Sequence, residues 1–129
     1  MDEKNISLAP AEWIIMEYLW ESAPHTGREL TEAMREQCGW NRSTTLTLLR
    51  RLEAKEAIGS NEDSGVKCFY PLVSRENVAQ GEAKNLLSRA YRGSLSLLVS
   101  SFVEKRDLSK QEIDELCAIL EQLKEKNDD

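Results

Sequence analysis

Apolar residues in the first half of the chain recur at intervals of three and four positions, which is the spacing of one face of an α-helix. Three such segments follow one another: from Pro10 to about Glu21, from Thr26 to about Gln37, and from Arg42 to about Glu56. Proline is favoured at the first helical position, because the N–H group that it lacks would have no partner there. The pattern predicts three short amphipathic helices.

The residues around the second and third helices are typical of helix ends. Thr26 and Glu29 have the Thr-x-x-Glu spacing of a capping box, in which each side chain accepts a hydrogen bond from the backbone of the other residue. Gly39 suits the position directly after a helix, where the backbone turns left-handed. Asn41 offers a side-chain oxygen to the free N–H groups of the next helix. We therefore expect the second helix to end before Gly39 and the third to begin after Asn41.

Strand-forming residues are found in two short segments, 58–61 and 66–70, which flank the turn-forming sequence from Glu62 to Gly65. This arrangement predicts a β-hairpin, and it is the only strand signal that the sequence offers. Three helices followed by a hairpin are typical of a winged helix-turn-helix. From Ser74 onward the pattern is helical alone. We therefore predict a mainly α protein, with a winged-helix domain at residues 1–73 and an all-helical region at 74–129.

The helical region has apolar faces that its own residues are too few to cover. The segment from Leu95 to Val103 is apolar on nearly all sides, and such a helix has to be buried. The terminal helix begins with a second capping box, Ser109 to Glu112, and continues with a coiled-coil spacing of apolar residues. A second copy of the chain would cover both, although the terminal helix packing back on its own domain is the alternative. The predicted homodimer interface comprises Leu95, Leu98, Val99, Phe102, Ile113, Leu116, Leu120 and Leu123.

The composition is that of a globular protein, and it argues against a membrane-spanning or secreted protein. Hydrophobic residues make up 40% and charged residues 31% of the 129 residues, and no apolar run reaches the roughly 20 residues of a membrane-spanning helix. The acidic, polar N-terminus does not resemble a secretory signal, so we expect a cytoplasmic protein without membrane insertion. The three cysteines are widely spaced, and the lone His25 lies far from each of them in sequence. This pattern favours reduced, buried thiols and predicts neither a metal site nor a cofactor.

The charges are segregated along the chain, although the net charge is −6. An acidic protein is a poor partner for phosphate in general, because phosphate contacts dominate nucleic-acid binding. Between Asn41 and Lys55, however, four basic residues stand against the single acid Glu53, while the C-terminal end is predominantly acidic. A local basic segment on one helix is therefore the candidate nucleic-acid interface.

The third helix divides into two faces when each residue advances by 100°. Thr45, Leu48, Leu49 and Leu52 form the buried face, and the opposite face carries hydroxyl groups and arginine. Arginine can donate two hydrogen bonds to guanine, and an exposed leucine can contact a thymine methyl group. We predict base contacts by Ser43, Leu46, Thr47 and Arg50, and contacts with the DNA backbone by Arg42, Thr44, Arg51, Lys55 and Lys67. For Leu46, which we expect to be exposed, an isolated surface leucine is the alternative.

A set of residues spread over nearly the whole chain carries a resemblance to a known family. These residues are Ala11-Glu-Trp, Leu19-Trp, Trp40, Thr44, Thr47-Leu, Arg51-Leu and Lys55, then Tyr70-Pro-Leu-Val-Ser74 and Gly93-Ser94, and finally Leu98-Val, Phe102-Val-Glu and Leu108-Ser-Lys-Gln-Glu-Ile-Asp-Glu-Leu116. In their order and spacing the chain resembles the penicillinase-repressor family, which includes the methicillin-resistance repressor and copper-responsive relatives. The resemblance implies a homodimeric winged-helix repressor that binds dyad-symmetric operator DNA, with the C-terminal helices making the dimer.

The resemblance also implies how such a repressor is regulated. In the resistance branch a membrane sensor protease responds to β-lactam, and the repressor is cut between an Asn and a Phe in its dimerisation region. The matching pair in this chain is Ser101 and Phe102, which keeps the Phe and lacks the Asn. The copper-responsive members end in paired Cys-x-Cys motifs, whereas this chain has only Cys117 near its end. Copper sensing is therefore not expected.

Three functional hypotheses follow from these patterns. The first is a sequence-specific repressor, relieved by proteolysis or another signal. The second is a winged-helix adaptor that binds a partner protein and has no specific DNA site. The third is an enzyme, which the sequence disfavours because no catalytic triad, metal-ligand cluster or glycine-rich phosphate loop is present. The basic third helix favours the repressor.

Overall fold

The computed structural model describes residues 6–105 and 107–127, and these residues contain helices and one small sheet. Contacts within the chain separate a first compact unit that ends at Ala83 from a second that begins at Lys84. The elements in chain order are α1 (Pro10–Glu21), β1 (His25–Thr26), α2 (Gly27–Cys38), α3 (Arg42–Ala54), β2 (Ile58–Asn61), β3 (Cys68–Pro71), α4 (Arg75–Tyr91), α5 (Leu95–Glu104) and α6 (Lys110–Asn127).

The ends of α2 and α3 confirm the predicted capping residues. Thr26 Oγ1 accepts a hydrogen bond from Glu29 N at 3.1 Å, and Glu29 Oε1 accepts one from Thr26 N at 2.8 Å. This backbone hydrogen bond from Thr26 is the largest cause that lowers the pKa of Glu29 below its ordinary value. Gly39 ends α2 with φ of 72°, a conformation that costs a glycine least. Asn41 Oδ1 accepts a hydrogen bond from Thr44 N at 2.8 Å and so caps α3.

The sheet has three antiparallel strands in the order β1, β3, β2. The predicted hairpin forms, with Ile58 opposite Pro71 and Asn61 opposite Cys68. The prediction of a single hairpin is incomplete, because β1 pairs with the other edge of β3 and places His25 opposite Phe69. A strand of two residues is too short to show an alternating pattern in the sequence. Strand β3 also begins at Cys68, so the turn of the hairpin extends to Lys67.

One hydrophobic core holds α1, α2, α3 and the sheet together. Trp20 Nε1 donates a hydrogen bond to Val73 O at 2.9 Å, which ties the end of the sheet region to α1. The N-terminal segment before α1 joins this core, because Ile6 and Leu8 are buried. The buried apolar residues are Ile6, Leu8, Ile15, Met16, Leu19, Leu30, Met34, Leu48, Leu49, Leu52, Ala57, Ile58, Phe69, Val73 and Val78.

The first part of α4 belongs to the winged-helix unit. Val78 is buried in its core, and Glu82 Oε1 accepts a hydrogen bond from Leu8 N at 3.3 Å. Arg75 pairs with Glu17 of α1 at 2.7 Å, and this hydrogen bond raises the pKa of Arg75 above its ordinary value. The domain boundary predicted from the sequence lies near Val73, just before α4 begins.

The second unit contains the rest of α4 together with α5 and α6. Ser94 Oγ accepts a hydrogen bond from Leu97 N at 3.2 Å and caps α5. Ser109 Oγ accepts one from Glu112 N at 3.1 Å at the start of α6. None of the residues described in this unit is buried, so a single chain leaves the apolar faces of α5 and α6 uncovered.

Candidate nucleic-acid interface

Helix α3 is fixed to the core by the face that its sequence predicts. Thr45, Leu48, Leu49 and Leu52 are each at most 5% exposed. Because these residues recur at helical spacing, the opposite side of α3 has to face outward. The division of α3 into a buried face and an outer face is therefore confirmed.

The outer face carries the predicted base-contacting residues in two different environments. Ser43 and Arg50 are exposed, whereas Leu46 and Thr47 are half-buried. The expectation of an exposed Leu46 is wrong, because its side chain packs against the core and lines recesses together with Gly27 and Arg28 of α2. An apolar side chain seated between two recesses still presents part of its surface outward.

The predicted backbone-contacting residues of α3 fall into two groups. Arg42, Thr44 and Arg51 are exposed, and in the described part of the chain neither arginine has a carboxylate at ion-pair distance. Lys55 is instead engaged inside the unit, where its Nζ donates hydrogen bonds to Ser7 O at 2.9 Å and to the buried carboxylate of Glu12. The charge of Lys55 is thus already matched by Glu12, which makes Lys55 a poor candidate for a phosphate contact.

A cleft of about 570 Å³ lies between α3 and the hairpin. We call it the wing cleft. Lys67 lies on the hairpin side, with its Nζ 3.6 Å from Glu53 Oε2 and 5.2 Å from the centre of the Phe69 ring. The lining residues are Thr26, Gly27, Arg28, Leu46, Leu49, Arg50, Glu53, Val66, Lys67 and Phe69. The structure therefore brings Leu46, Arg50 and Lys67 together around one concave surface.

A second concave surface of about 450 Å³ lies between α2 and α3. We call it the arginine recess, because Arg28, Arg35 and Arg42 line it together with Gly27, Thr31, Glu32 and Leu46. Arg28 pairs with Glu32 at 3.5 Å, and Arg35 has no ion pair within the described ranges 6–105 and 107–127. Guanidinium groups are well suited to phosphate because they donate several hydrogen bonds in one plane.

Sequence reasoning missed Arg28 and Arg35. Their spacing of seven residues places them two helical turns apart on the same side of α2. That spacing, combined with the prediction that α2 precedes the helix entering the groove, is a signal that would have identified them.

The predicted dimer residues of the second unit lie on α5 and α6. Leu95 is 51% exposed, Phe102 43% and Leu123 51%. Leu98, Val99 and Leu116 are half-buried, and Ile113 and Leu120 are exposed. Ser101 lies within α5, where its Oγ donates a hydrogen bond to Leu98 O at 2.7 Å. The peptide bond between Ser101 and Phe102 is therefore part of a helix.

Other candidate sites receive little support from the described residues. These residues contain no group of three or more His, Cys, Asp or Glu side chains that is arranged to hold a metal ion. No helix among them is both long enough and apolar enough to cross a membrane. The three cysteines are free thiols; Cys38 and Cys68 are half-buried, but Cys117 is exposed on α6, which differs from the expected burial.

The chain is similar in sequence to known repressors. The chain is 34% identical to the methicillin resistance regulatory protein MecI of Mammaliicoccus sciuri over 120 residues, which cover 93% of this chain and 98% of the relative. It is 28% identical to the penicillinase repressor of Bacillus licheniformis over 122 residues, 95% of each chain.

Solved structures show the same fold in the first unit. The solution structure of the DNA-binding domain of the repressor BlaI matches with a TM-score of 0.52 at 21% identity, covering 59% of this chain and 93% of that one. The monomeric form of Bacillus licheniformis BlaI, solved in complex with the blaP half-operator, also matches with a TM-score of 0.52, at 22% identity, and covers 57% of this chain and 90% of that one. The first unit is thus a winged helix.

The model of the penicillinase repressor family matches residues 8–122. The match includes the winged-helix unit and most of the second unit. The chain therefore belongs to the penicillinase repressor family.

Proposed function

We propose that this protein is a sequence-specific, DNA-binding transcriptional repressor that acts as a homodimer on a dyad-symmetric operator. The observation that carries the proposal is the outer face of α3, where Arg42, Arg50 and Arg51 are exposed and have no carboxylate partner among the described residues. Unpaired arginines beside hydroxyl groups on a protruding helix are suited to a polyanion with readable base edges. The printed names of the relatives and the half-operator bound by the BlaI of Bacillus licheniformis support this assignment.

Each residue of the interface has a proposed role. In this arrangement α3 enters the major groove, where Arg50 donates to guanine and Leu46 contacts a thymine methyl group. Ser43 and Thr47 contact bases beside them. The proposed contacts with phosphate are made by Arg42, Thr44, Arg51 and Lys67, and by Arg28 and Arg35, which line the arginine recess.

The homodimer is proposed from the uncovered apolar faces of the second unit. Leu95, Leu98, Val99 and Phe102 of α5 would pack against a second copy together with Ile113, Leu116, Leu120 and Leu123 of α6. A dimer presents two copies of α3 to two half-sites. Because the two copies are linked, the affinity of the dimer for the whole operator is well above that of one DNA-binding unit for a half-site. We propose that the protein acts in the cytoplasm. The proposed function requires neither a catalytic step nor a cofactor.

Relief of repression is proposed to occur by proteolysis or by another signal. A membrane sensor protease is the proposed partner, and the bond between Ser101 and Phe102 is the proposed cleavage position. Since the bond between Ser101 and Phe102 lies inside α5, a protease has to unwind this turn before it can cut. Cleavage there would cut α5 itself and separate Leu95, Leu98 and Val99 from Phe102 and the interface residues of α6.

The proposal is tested by identifying the DNA that the protein selects. Genomic fragments bound by the purified protein are sequenced, and the selected duplex is compared with a scrambled duplex of equal length by fluorescence anisotropy. We expect a pseudo-palindrome whose half-sites lie roughly 34–36 Å apart or a multiple of it, bound at least about 10³-fold more tightly than the scrambled duplex. Equal affinity for both duplexes would refute the repressor, and an absence of any salt-dependent DNA binding would favour the adaptor.

A further inference from the structure

The wing cleft contains one acidic residue among its basic ones. Arg28, Arg50 and Lys67 line the cleft together with Glu53, which is the only carboxylate in its lining among the described residues. Glu53 follows Leu46 by seven positions and Arg50 by three, so these three side chains lie on the same side of α3. The carboxylate therefore lies in the same cleft as Arg50 and Lys67, the cations that a phosphate would contact there.

Glu53 contacts the one basic residue that the hairpin contributes to the cleft. Its Oε2 lies 3.6 Å from Lys67 Nζ, and the two side chains are 33% and 50% exposed. The ammonium group also lies over the Phe69 ring, 5.2 Å from its centre, a position that the negative face of an aromatic ring favours. Lys67 is thus held beside α3 at the wall of the cleft, with half of its side chain still exposed.

We propose that Glu53 sets the strength of DNA binding by competing with a backbone phosphate for Lys67. The inference rests on the proposed DNA-binding function. A phosphate that binds Lys67 has to replace the carboxylate, and it then remains close to an unpaired negative charge. The favourable contact with Lys67 is offset by the lost ion pair and by this repulsion, so Lys67 adds little net affinity while Glu53 is present.

This competition acts on binding that is independent of base sequence. Such binding arises from phosphate contacts, each of which contributes about 0.9 to the slope of log affinity against log salt. A repressor meets a large excess of non-specific sites in a genome, so every phosphate contact that is weakened reduces the time spent on them. Glu53 limits non-specific affinity at the edge of the interface, whereas the unpaired Arg50 remains available to a base.

The test uses the full-length wild-type protein, Glu53→Gln, Lys67→Gln and the double variant. Anisotropy titrations with a scrambled duplex at several salt concentrations give the affinity and the salt slope of each. We expect Glu53→Gln to steepen the slope by about 0.9, which corresponds to about fivefold tighter binding at 0.15 M salt. Lys67→Gln alone should change the affinity less than about twofold, and in the double variant the gain from Glu53→Gln should disappear.

A matched control separates the local effect from the change in net charge. Glu21→Gln removes the same charge from the end of α1, where the residue is exposed and does not line the wing cleft, and it should leave the slope unchanged. Equal slopes for Glu53→Gln and Glu21→Gln would overturn the inference. A loss of about fivefold in affinity for Lys67→Gln alone would also overturn the inference. This variant keeps the inference testable even if Glu53→Gln folds poorly.

The experiment distinguishes a failure of the role proposed for Glu53 from a failure of the proposed repressor function. The same four proteins are titrated with the selected operator. If wild type prefers the operator but Glu53→Gln matches Glu21→Gln on scrambled DNA, only the role of Glu53 is refuted. If wild type binds both duplexes equally, the repressor is refuted, while the slopes on scrambled DNA still report the competition for Lys67.

Discussion

Lys55 of α3 and Glu12 of α1 form an ion pair across the core of the winged-helix unit. Glu12 is 1% exposed, and its Oε1 accepts hydrogen bonds from Lys55 Nζ and from Ala9 N, the latter at 2.7 Å. Lys55 Nζ also donates to Ser7 O at 2.9 Å. One buried carboxylate oxygen therefore joins the C-terminal end of α3 to the N-terminal end of α1. The contact holds the C-terminal end of α3 against α1, and it occupies the ammonium group of Lys55.

Lys55→Met should destabilise the winged-helix unit. It leaves the buried carboxylate of Glu12 without its cation, and breaking such a pair costs roughly 3 kcal/mol, the low end of the range because Lys55 is partly exposed. Urea denaturation followed by tryptophan fluorescence measures the loss, since Trp13, Trp20 and Trp40 all belong to this unit. The double variant Glu12→Gln/Lys55→Met should recover much of the stability. If Lys55→Met were as stable as wild type, Lys55 would be free to contact DNA after all.

The contrast between Lys55 and Asn41 shows what can be predicted from sequence in this protein. Asn41, Thr26 and Gly39 act on backbone groups within three or four residues, so their roles follow from local spacing. The partner of Lys55 lies more than forty positions away, and a basic residue at the end of an apparently exposed helix face is indistinguishable from a phosphate contact without that partner. The same holds for Leu46, whose half-burial depends on where α2 crosses α3.

The parts that sequence reasoning omitted share this dependence on long-range contacts. Strand β1 has two residues and exists because β3 offers it a free edge. Arg28 and Arg35 matter only because α2 lies beside Arg42. The fold class and the buried face of α3 were predictable because they follow from repeated local patterns. The composition of the interface was only partly predictable, because Lys55 and Lys67 pair with carboxylates on other elements, Glu12 and Glu53.

Arg50 and Arg51 are neighbours on α3 with different proposed roles, and the two variants should differ in kind. Arg50→Ala should weaken operator binding by about 1–3 kcal/mol and relax the preference at one base pair, because it removes a base contact. Arg51→Ala should weaken binding to every duplex alike and reduce the salt slope by about 0.9, because it removes a phosphate contact. Anisotropy titrations against operators that vary at each position measure both effects. A uniform loss for Arg50→Ala would assign it to the backbone instead.

Arg35→Gln tests the arginine recess. The side chain lies on α2, lines the recess with Arg28 and Arg42, and has no ion pair among the described residues. If phosphate binds there, the variant should lose one contact, with a salt slope smaller by about 0.9 and unchanged base preference. Arg89→Gln on α4, in the second unit, is the matched control and should bind as wild type. An unchanged slope for Arg35→Gln would restrict the interface to α3 and the hairpin.

The apolar face of α5 is the proposed centre of the dimer, and its disruption should separate oligomeric state from folding. Changing Leu98 and Phe102 together to Ser should convert a dimer into a monomer of 14.7 kDa, because two large apolar contacts are lost from the interface. Light scattering at micromolar concentration measures the mass, with Ser100→Asn on the same helix as the control. The monomer should keep its affinity for a half-operator and lose the additional affinity for the full operator that linkage supplies. A wild-type protein that is already monomeric under these conditions would contradict the dimer and leave α5 and α6 in need of another partner.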